Sequence, residues 1–296
     1  MGESMSVVVA GCKVNLGLRI TGVRENGYHE LDSLFWPLPR PCDRLHIRET
    51  ETAGLVVQCD APDIDPENNT LTKAYAALAR RVPDLPGLEV RLNKGIPSGA
   101  GLGGGSSDAA ALLGWLNGRI PKPLDHQALA EVALAVGADT PFFLINKPCR
   151  VRGIGEIIEP YEGGALAGMH LVLVCSAIHA STPQAYADYD AALSAANTVS
   201  GQNFLTKTES KANGTFLSGV RTEVSMHNDL EDVVFSRHPQ LAEIKANLLR
   251  LGAGAVAMSG SGSSIVALFA HESHVESQAA AAMLQGENRR VYAHVL

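Results

Sequence analysis

The chain has 296 residues and a formal net charge of −7, enough length for one large or two medium domains with a proper core. The acidic balance argues against nucleic acid or an anionic membrane as a partner. Cys12, Cys42, Cys59, Cys149 and Cys175 are scattered and odd in number, with no Cys-x-x-Cys pair, which reads as free thiols in a reducing cytoplasm. His271-Glu272-Ser273-His274 has the wrong spacing for a His-Glu-x-x-His zinc motif, so no structural metal is expected. Without a signal peptide's charged and apolar regions, or an apolar run of bilayer length, a soluble cytoplasmic protein is expected.

Ser6 to Ala10 is short and β-branched, a first strand that runs into a second alternation from Val14 to Ile20. Lys13 and Asn15 share one face of it, opposite Val14 and Leu16; a lysine so placed is ordinarily a solvated side chain. Asn26-Gly27 signals a turn, followed by the aromatic residues Tyr28, His29, Phe35 and Trp36. Asp43–Arg48 and Leu55–Cys59 read as strands. Asn69–Arg81 carries Leu71, Ala74, Tyr75 and Leu78 at helical spacing, ended by Pro83, Pro86 and Gly87. Leu88–Leu92 alternates as a half-buried strand.

A glycine-rich stretch then precedes the helix-forming run that starts at Ala109. Asp125 caps a further helix with Leu129, Val132, Ala133 and Val136 on one stripe, stopped by Gly137. Asp139 has two open readings: a cap before Pro141, which suits a first helical position, or a carboxylate at the mouth of a site. A domain boundary is expected near residue 160, giving domains 1–160 and 161–296. Leu171–Val174 reads as a buried strand, and residues 191–224 as a helix with a long surface loop. Leu241–Leu251 is a helix, and Met258–Ser264 a glycine–serine turn entering the strand Ile265–Phe269. No fixed-period repeat is present.

The most informative stretch runs Pro97-Ser98-Gly99-Ala100-Gly101-Leu102-Gly103-Gly104-Gly105-Ser106-Ser107-Asp108. Glycines between a strand and a helix N-terminus let an anion approach the main chain, where unpaired N–H groups and the helix dipole favour it. A Walker loop fails, because no lysine follows the glycines. Gly99-Ala100-Gly101-Leu102-Gly103-Gly104 matches a dinucleotide fingerprint literally. Its context is wrong: Lys94-Gly95-Ile96-Pro97 separates strand from glycines, and strand–helix units do not alternate.

The whole stretch resembles the phosphate loop of the GHMP kinases, the galactokinase, homoserine kinase, mevalonate kinase and phosphomevalonate kinase superfamily. Lys13-Val14-Asn15-Leu16, Gly27-Tyr28-His29-Glu30-Leu31, Gly137-Ala138-Asp139-Thr140-Pro141-Phe142-Phe143 and Ser259-Gly260-Ser261-Gly262-Ser263-Ser264 are similar to other motifs of this family, in the right order. Asn15 together with Gly27-Tyr28-His29 resembles the members of non-mevalonate isoprenoid biosynthesis, whose acceptor is a cytidylyl methylerythritol.

The resemblance implies a two-domain α/β (α+β) fold. Its N-terminal domain is ribosomal-protein-like, its C-terminal domain ferredoxin-like, and the active site lies in the cleft between them. It implies transfer of the γ-phosphoryl of ATP, as the Mg²⁺ complex, to the acceptor's 2-hydroxyl with ADP as by-product. Pro97, Ser98, Gly99, Ala100, Gly101, Leu102, Gly103, Gly104, Gly105, Ser106 and Ser107 match the ATP phosphate loop, and Asn69 and Lys94 positions near the adenine. Asp139 matches the general base, and Lys13 the cation that eases loss of the hydroxyl proton. Asn15, Tyr28, His29, Phe35 and Tyr186 match the acceptor side. Tyr28, Phe35 and Tyr186 are the candidates to stack on the base and His29 to read its edge. Tyr186 stands where the family commonly has phenylalanine. A monomer or weak homodimer is expected, without nucleic acid or membrane. A sister kinase of the same family would share the loop without requiring Tyr28 and His29.

Overall fold

The computed structural model describes residues 5–162, 164–200, 216–217, 220–221 and 226–296. Two long strands organise the first 50 residues: β1 (Ser6–Val23) and β2 (His29–Thr50). Packing groups the chain into two compact units, each drawn from separated stretches. The first takes Met1–Lys13, Pro37–Pro97 and Gly103–Lys147; the second takes Val14–Trp36, Ser98–Leu102 and Pro148–Leu296. Both strands therefore belong to one unit by one end and to the other by the rest. Residue 160 falls inside the second unit.

In the first unit, the end of β2 pairs antiparallel with β4 (Gly87–Asn93), with Ile47 opposite Val90 and Leu45 opposite Leu92. β3 (Leu55–Cys59) runs parallel to β4. The alternation of β2 sends Leu45 and Ile47 inward and Arg44, His46 and Arg48 outward, the period-2 pattern of a one-sided sheet. Helices α1 (Thr70–Ala79), α2 (Gly104–Asn117), α3 (His126–Leu134) and α4 (Thr140–Ile145) complete the unit. Leu71, Ala74 and Leu78 of α1 share one core with Ala109, Leu112, Leu113 and Leu116 of α2 and with the inward strand residues. The leucines at the centre of this packing, Leu71, Leu78, Leu112 and Leu113, are almost wholly buried; burial of each contributes about 1.5–3 kcal/mol. Asp125 caps α3 as expected, its Oδ1 accepting the Ala128 N–H at 2.8 Å.

α2 starts at Gly104, ahead of the expected run from Ala109. Glycine weakens a helix interior but is tolerated in the first turn, where the N–H groups have no helical partner in any case. The last glycines of the loop thus belong to the helix itself.

In the second unit, the start of β2 pairs antiparallel with β5 (Cys149–Gly153), and β5 with β6 (Ile157–Pro160). A separate four-stranded antiparallel sheet has the order β10-β11-β7-β12, from β7 (His170–Ser176), β10 (Ala255–Met258), β11 (Ile265–Phe269) and β12 (Arg289–Val295). Helices α5 (Thr182–Ser200), α6 (Glu231–Arg237) and α7 (Pro239–Arg250) come between β7 and β10, and α8 (His274–Leu284) between β11 and β12. This succession and strand order are the ferredoxin-like arrangement. Its core joins Val172, Val174, Leu241, Ile244, Leu248, Ile265 and Phe269. A two-residue pair, β8 (Phe216–Leu217) with β9 (Val220–Arg221), is also present. Of the expected 191–224 region, the first part continues α5; most of the rest lies outside the described residues. All five cysteines are free, and no described helix is long and apolar enough to cross a membrane.

Candidate active site

The N-terminus of α2 is built to face an anion. Its N-cap is Gly103 in the left-handed conformation (φ 71°), and no side chain caps the first turn. The first-turn N–H groups thus have no capping partner and carry the positive end of the dipole. Gly103 is also sterically required: a Cβ there would lie 2.9 Å from the Phe143 ring and 3.3 Å from Lys13 Cε.

Lys13 therefore stands against the N-cap residue of α2, and its Nζ lies 3.5 Å from Asp139 Oδ2. The lysine is buried, while the Asp139 side chain keeps about a third of its surface exposed, at 32%. Asp139 occupies the N-cap position of α4 but makes no side-chain cap hydrogen bond there. Its side chain is therefore not the cap of α4 and is paired instead with Lys13. Gly137, on the approach to α4, lies against the Thr140 and Ser106 hydroxyls, so Ser106 borders the same patch. An anion cradle, a hydroxyl, a cation and a partly exposed carboxylate are thus gathered in the first unit.

The two residues matched to the adenine side have other partners. Asn69 is the N-cap of α1: Oδ1 accepts the N–H groups of Leu71 (2.9 Å) and Thr72 (3.1 Å), and Nδ2 donates to the carbonyls of Asp65 and Pro66. That uses both donors and both lone pairs of the amide. The Lys94 ammonium is buried between Asp43 and Asp108, 2.8 Å from the latter. Asp43 Oδ1 also accepts the N–H groups of Gly95 (2.7 Å) and Ile96 (2.8 Å). This triad ties the segment entering the glycine loop to the first turns of α2. Burial pushes the Asp108 carboxyl up to about 7 against the opposing pull of Lys94, with Asp43 adding to the rise. Two carboxylates sharing one ammonium in a buried setting favour a proton on one of them.

In the second unit, the middle of the glycine loop rests on the glycine–serine turn. Ser259 Oγ donates to the Gly101 carbonyl at 3.1 Å and accepts the Asn15 N–H at 3.0 Å. The Ser264 N–H reaches the Ala100 carbonyl at 3.3 Å. Gly101 has φ 73°, and a Cβ on it would lie 2.1 Å from the Ser259 carbonyl oxygen. Asn228 holds the turn from behind, donating to the Met258 and Gly260 carbonyls, each at 2.7 Å. Sequence reading misses Asn228; an Asn-Asp dipeptide ahead of a helix reads as a capping signal, and its Oδ1 does accept the Leu230 N–H.

Of the acceptor-side candidates, Tyr28 is exposed and His29 and Tyr186 are partly buried, whereas Phe35 and Asn15 are interior. Tyr28 follows the Asn26–Gly27 turn and is 61% exposed. His29 packs on Tyr186, ring centroids 4.6 Å apart, and edge-on against Tyr189 at 6.4 Å. Its Nε2 lies 2.8 Å from Asp190 Oδ1. Phe35 corrects the sequence expectation: its side chain is buried to 2% exposure and offers no open face to a base. The residue sits where β2 pairs with β5, opposite Cys149, so alternation turns its ring into the core. Asn15 is equally buried, and its Nδ2 donates to Ser33 Oγ at 2.8 Å.

Family models match two stretches: the GHMP kinases N terminal domain over residues 69–147 and the GHMP kinases C terminal domain over 218–286. The chain belongs to the GHMP kinase family. Nearly full-length relatives include the 4-diphosphocytidyl-2-C-methyl-D-erythritol kinase of Nitratidesulfovibrio vulgaris strain DP4, 45% identical over 287 residues, covering 97% of either chain. That of Lawsonia intracellularis is 44% identical over 91% of this chain and 90% of its own. A crystal structure of a 4-(cytidine 5'-diphospho)-2C-methyl-D-erythritol kinase superposes with TM-score 0.73 at 30% identity, over 97% of this chain and 98% of that one. The Cytophaga hutchinsonii homoserine kinase, 17% identical with TM-score 0.68 over 100% and 97%, shares the fold. Among the described residues of this GHMP kinase, no group of three His, Cys, Asp or Glu side chains could hold a metal ion.

Proposed function

We propose that the protein transfers the γ-phosphoryl of ATP to the 2-hydroxyl of 4-diphosphocytidyl-2-C-methyl-D-erythritol, releasing ADP, in non-mevalonate isoprenoid biosynthesis. The observation that carries the phosphoryl-transfer reading is the Lys13–Asp139 pair standing against Gly103 at the head of α2. The identity of the acceptor is supported by relatives of that name, one of them 45% identical over 97% of the chain, and by the exposed Tyr28 beside His29.

Phosphoryl transfer asks a protein mainly for positioning and charge stabilisation. The glycine cradle fits the group it is to hold: the first turn of α2 lacks a capping side chain, and Gly99, Gly101 and Gly103, all at positive φ, leave no room for a Cβ. Residues 97–107 would receive the ATP phosphates, with Ser106 and Ser107 hydroxyls donating hydrogen bonds to phosphate or offering oxygen ligands to its Mg²⁺. Mg²⁺ bound with the nucleotide would supply neutralisation of the phosphate charge. Asp139 takes the proton of the 2-hydroxyl as that oxygen bonds to the γ-phosphorus and the bond to ADP breaks. The Lys13 ammonium offsets the negative charge gathering there. Asn69 and Lys94 act through the fold, one by capping α1 and the other by bracing the segment entering the loop. Tyr28 and Tyr186 offer stacking faces to the cytosine, and His29 reads its edge.

ADP release measured with ATP and a panel of the cytidylyl acceptor, homoserine and mevalonate tests the proposal. Turnover of the cytidylyl acceptor alone is the expected result. Turnover of homoserine or mevalonate instead would assign the chain to a sister kinase, and consumption of no ATP with any acceptor would overturn the kinase reading.

A further inference from the structure

His29 is oriented more firmly than a surface histidine needs to be. It opens β2 directly after the Arg24–Tyr28 turn, which is closed by Arg24 N–H to Tyr28 carbonyl and Gly27 N–H to Arg24 carbonyl bonds, both 2.8 Å. Tyr186 covers one face of its ring and Tyr189 meets it edge-on. The remaining restraint is Asp190, on the same helix α5 as both tyrosines, with Oδ1 2.8 Å from Nε2. The imidazole side chain is 9% exposed and the Asp190 side chain 51%.

A carboxylate only accepts hydrogen bonds, so the nitrogen facing it must carry the proton. In the neutral ring, a proton on Nε2 leaves Nδ1 with a lone pair, an acceptor. Nδ1 has no partner among the described residues. Pyrimidine bases differ in the matching group: at C4, cytosine presents an amino donor, whereas a 4-oxo base presents a carbonyl acceptor. An acceptor nitrogen held rigidly opposite that position attracts the first and repels the second. A buried polar group left facing the wrong partner is the strongest source of discrimination available to a binding site.

We infer that Asp190 is a positioning residue that fixes His29 with its proton on Nε2, so that Nδ1 selects the 4-amino group of the acceptor's pyrimidine and rejects a 4-oxo pyrimidine. The inference rests on the cytidylyl acceptor proposed above and adds what makes the base recognition selective. Asp190 does not itself touch the base. Its exposed carboxylate contributes little to the fold, so its removal leaves α5 in place.

The test compares kcat/KM for the cytidylyl acceptor and its uridylyl counterpart in the wild type, Asp190→Ala and Asp190→Glu, with the KM for ATP as control. ¹⁵N NMR of the imidazole nitrogens reports the tautomer. The wild type is expected to show protonated Nε2 and a strong preference for the cytidylyl acceptor. In Asp190→Ala that preference falls by about tenfold or more, by analogy with metal-ligating histidines that lose their carboxylate partner. Asp190→Glu restores part of it, and the KM for ATP stays constant throughout. An unchanged preference in Asp190→Ala, or a wild-type proton on Nδ1, overturns the inference while leaving the acceptor assignment intact. Wild-type enzyme inactive on both pyrimidine acceptors overturns that assignment and the inference with it.

Discussion

The ammonium of Lys13 lies 3.5 Å from the Asp139 carboxylate, on a lysine whose Cε is a neighbour that a side chain at Gly103 would crowd. One cation thereby touches both the carboxylate and the turn that leads into α2. Asp139→Asn keeps the shape and removes the base. It is expected to lower kcat by about 10²–10⁴ with the KM for ATP near the wild-type value. Steady-state kinetics with both substrates varied checks this, and an Asn variant with undiminished kcat would take Asp139 out of the chemistry.

Two glycines near the same helix separate strain from propensity. Gly101→Ala places a Cβ 2.1 Å from a carbonyl oxygen at φ 73°, so the loop must shift. The KM for ATP is expected to rise, and the melting temperature to drop by the equivalent of about 1–3 kcal/mol. Gly114 lies inside α2, and a methyl group added to it would meet nothing within 4 Å. Gly114→Ala is expected to stabilise by about 0.5–1 kcal/mol with unchanged kinetics. Denaturant melts should move in opposite directions for the two variants, and ATP titrations should shift for Gly101→Ala alone.

Asn69 offers a clean choice between a cap and a nucleotide contact. With its amide fully engaged at the start of α1, Asn69→Ala is expected to cost about 1–2 kcal/mol of stability and to leave the KM for ATP within a factor of about two. A large rise in that KM without loss of stability would instead place the amide on the adenine.

Thr140 is wholly buried and its hydroxyl has no hydrogen-bond partner among the described residues. Replacing it by valine removes a desolvated polar group without changing the outline of the side chain. Thr140→Val is expected to be neutral or to stabilise by up to about 1 kcal/mol, measured by urea unfolding. Destabilisation, or weaker ATP binding, would show that the hydroxyl takes a ligand or water as partner.

His227 supplies a pH signature. Its hydrogen bond to Asp229, 2.7 Å from Nε2, raises its pKa above the usual imidazole value. The folded form holds the proton more tightly, so the pair's contribution is fully present below about pH 6.5. It is lost as the pH rises through the higher folded value. An NMR titration should place His227 above the free imidazole in the wild type and return it toward that value in Asp229→Asn. His227→Gln should flatten the corresponding part of the pH–melting profile.

The glycine loop is legible because its residues are unusual for anything but an anion site. In the second unit the apolar runs mark β7, α7 and β11, whereas its ferredoxin-like arrangement comes from the family resemblance. Lys13 and Asp139 are ambiguous apart: one lies on a strand where lysines are normally solvated, the other before a proline where aspartates normally cap. Their meeting depends on β1 and α4 packing in one unit, which no local pattern encodes. Pro37, Pro39 and Pro41 hide the length of β2, since proline argues against a central strand, yet the strand continues through them. Phe35 misleads for the opposite reason: an aromatic residue near a turn suggests a platform, while the strand's alternation directs it inward.

The chain passes from one compact unit to the other at Lys13–Val14, at Trp36–Pro37, on both sides of Ser98–Leu102 and at Lys147–Pro148. No single cut yields two self-sufficient halves: a fragment beginning after residue 160 would lack the strands β5 and β6 and the start of β2, and one ending there would leave the end of β1 without its packing partners. The inheritable module is the full-length polypeptide. Chimeras with a related kinase should therefore remain foldable when they exchange matched sets of segments, and fail when they are spliced at one junction.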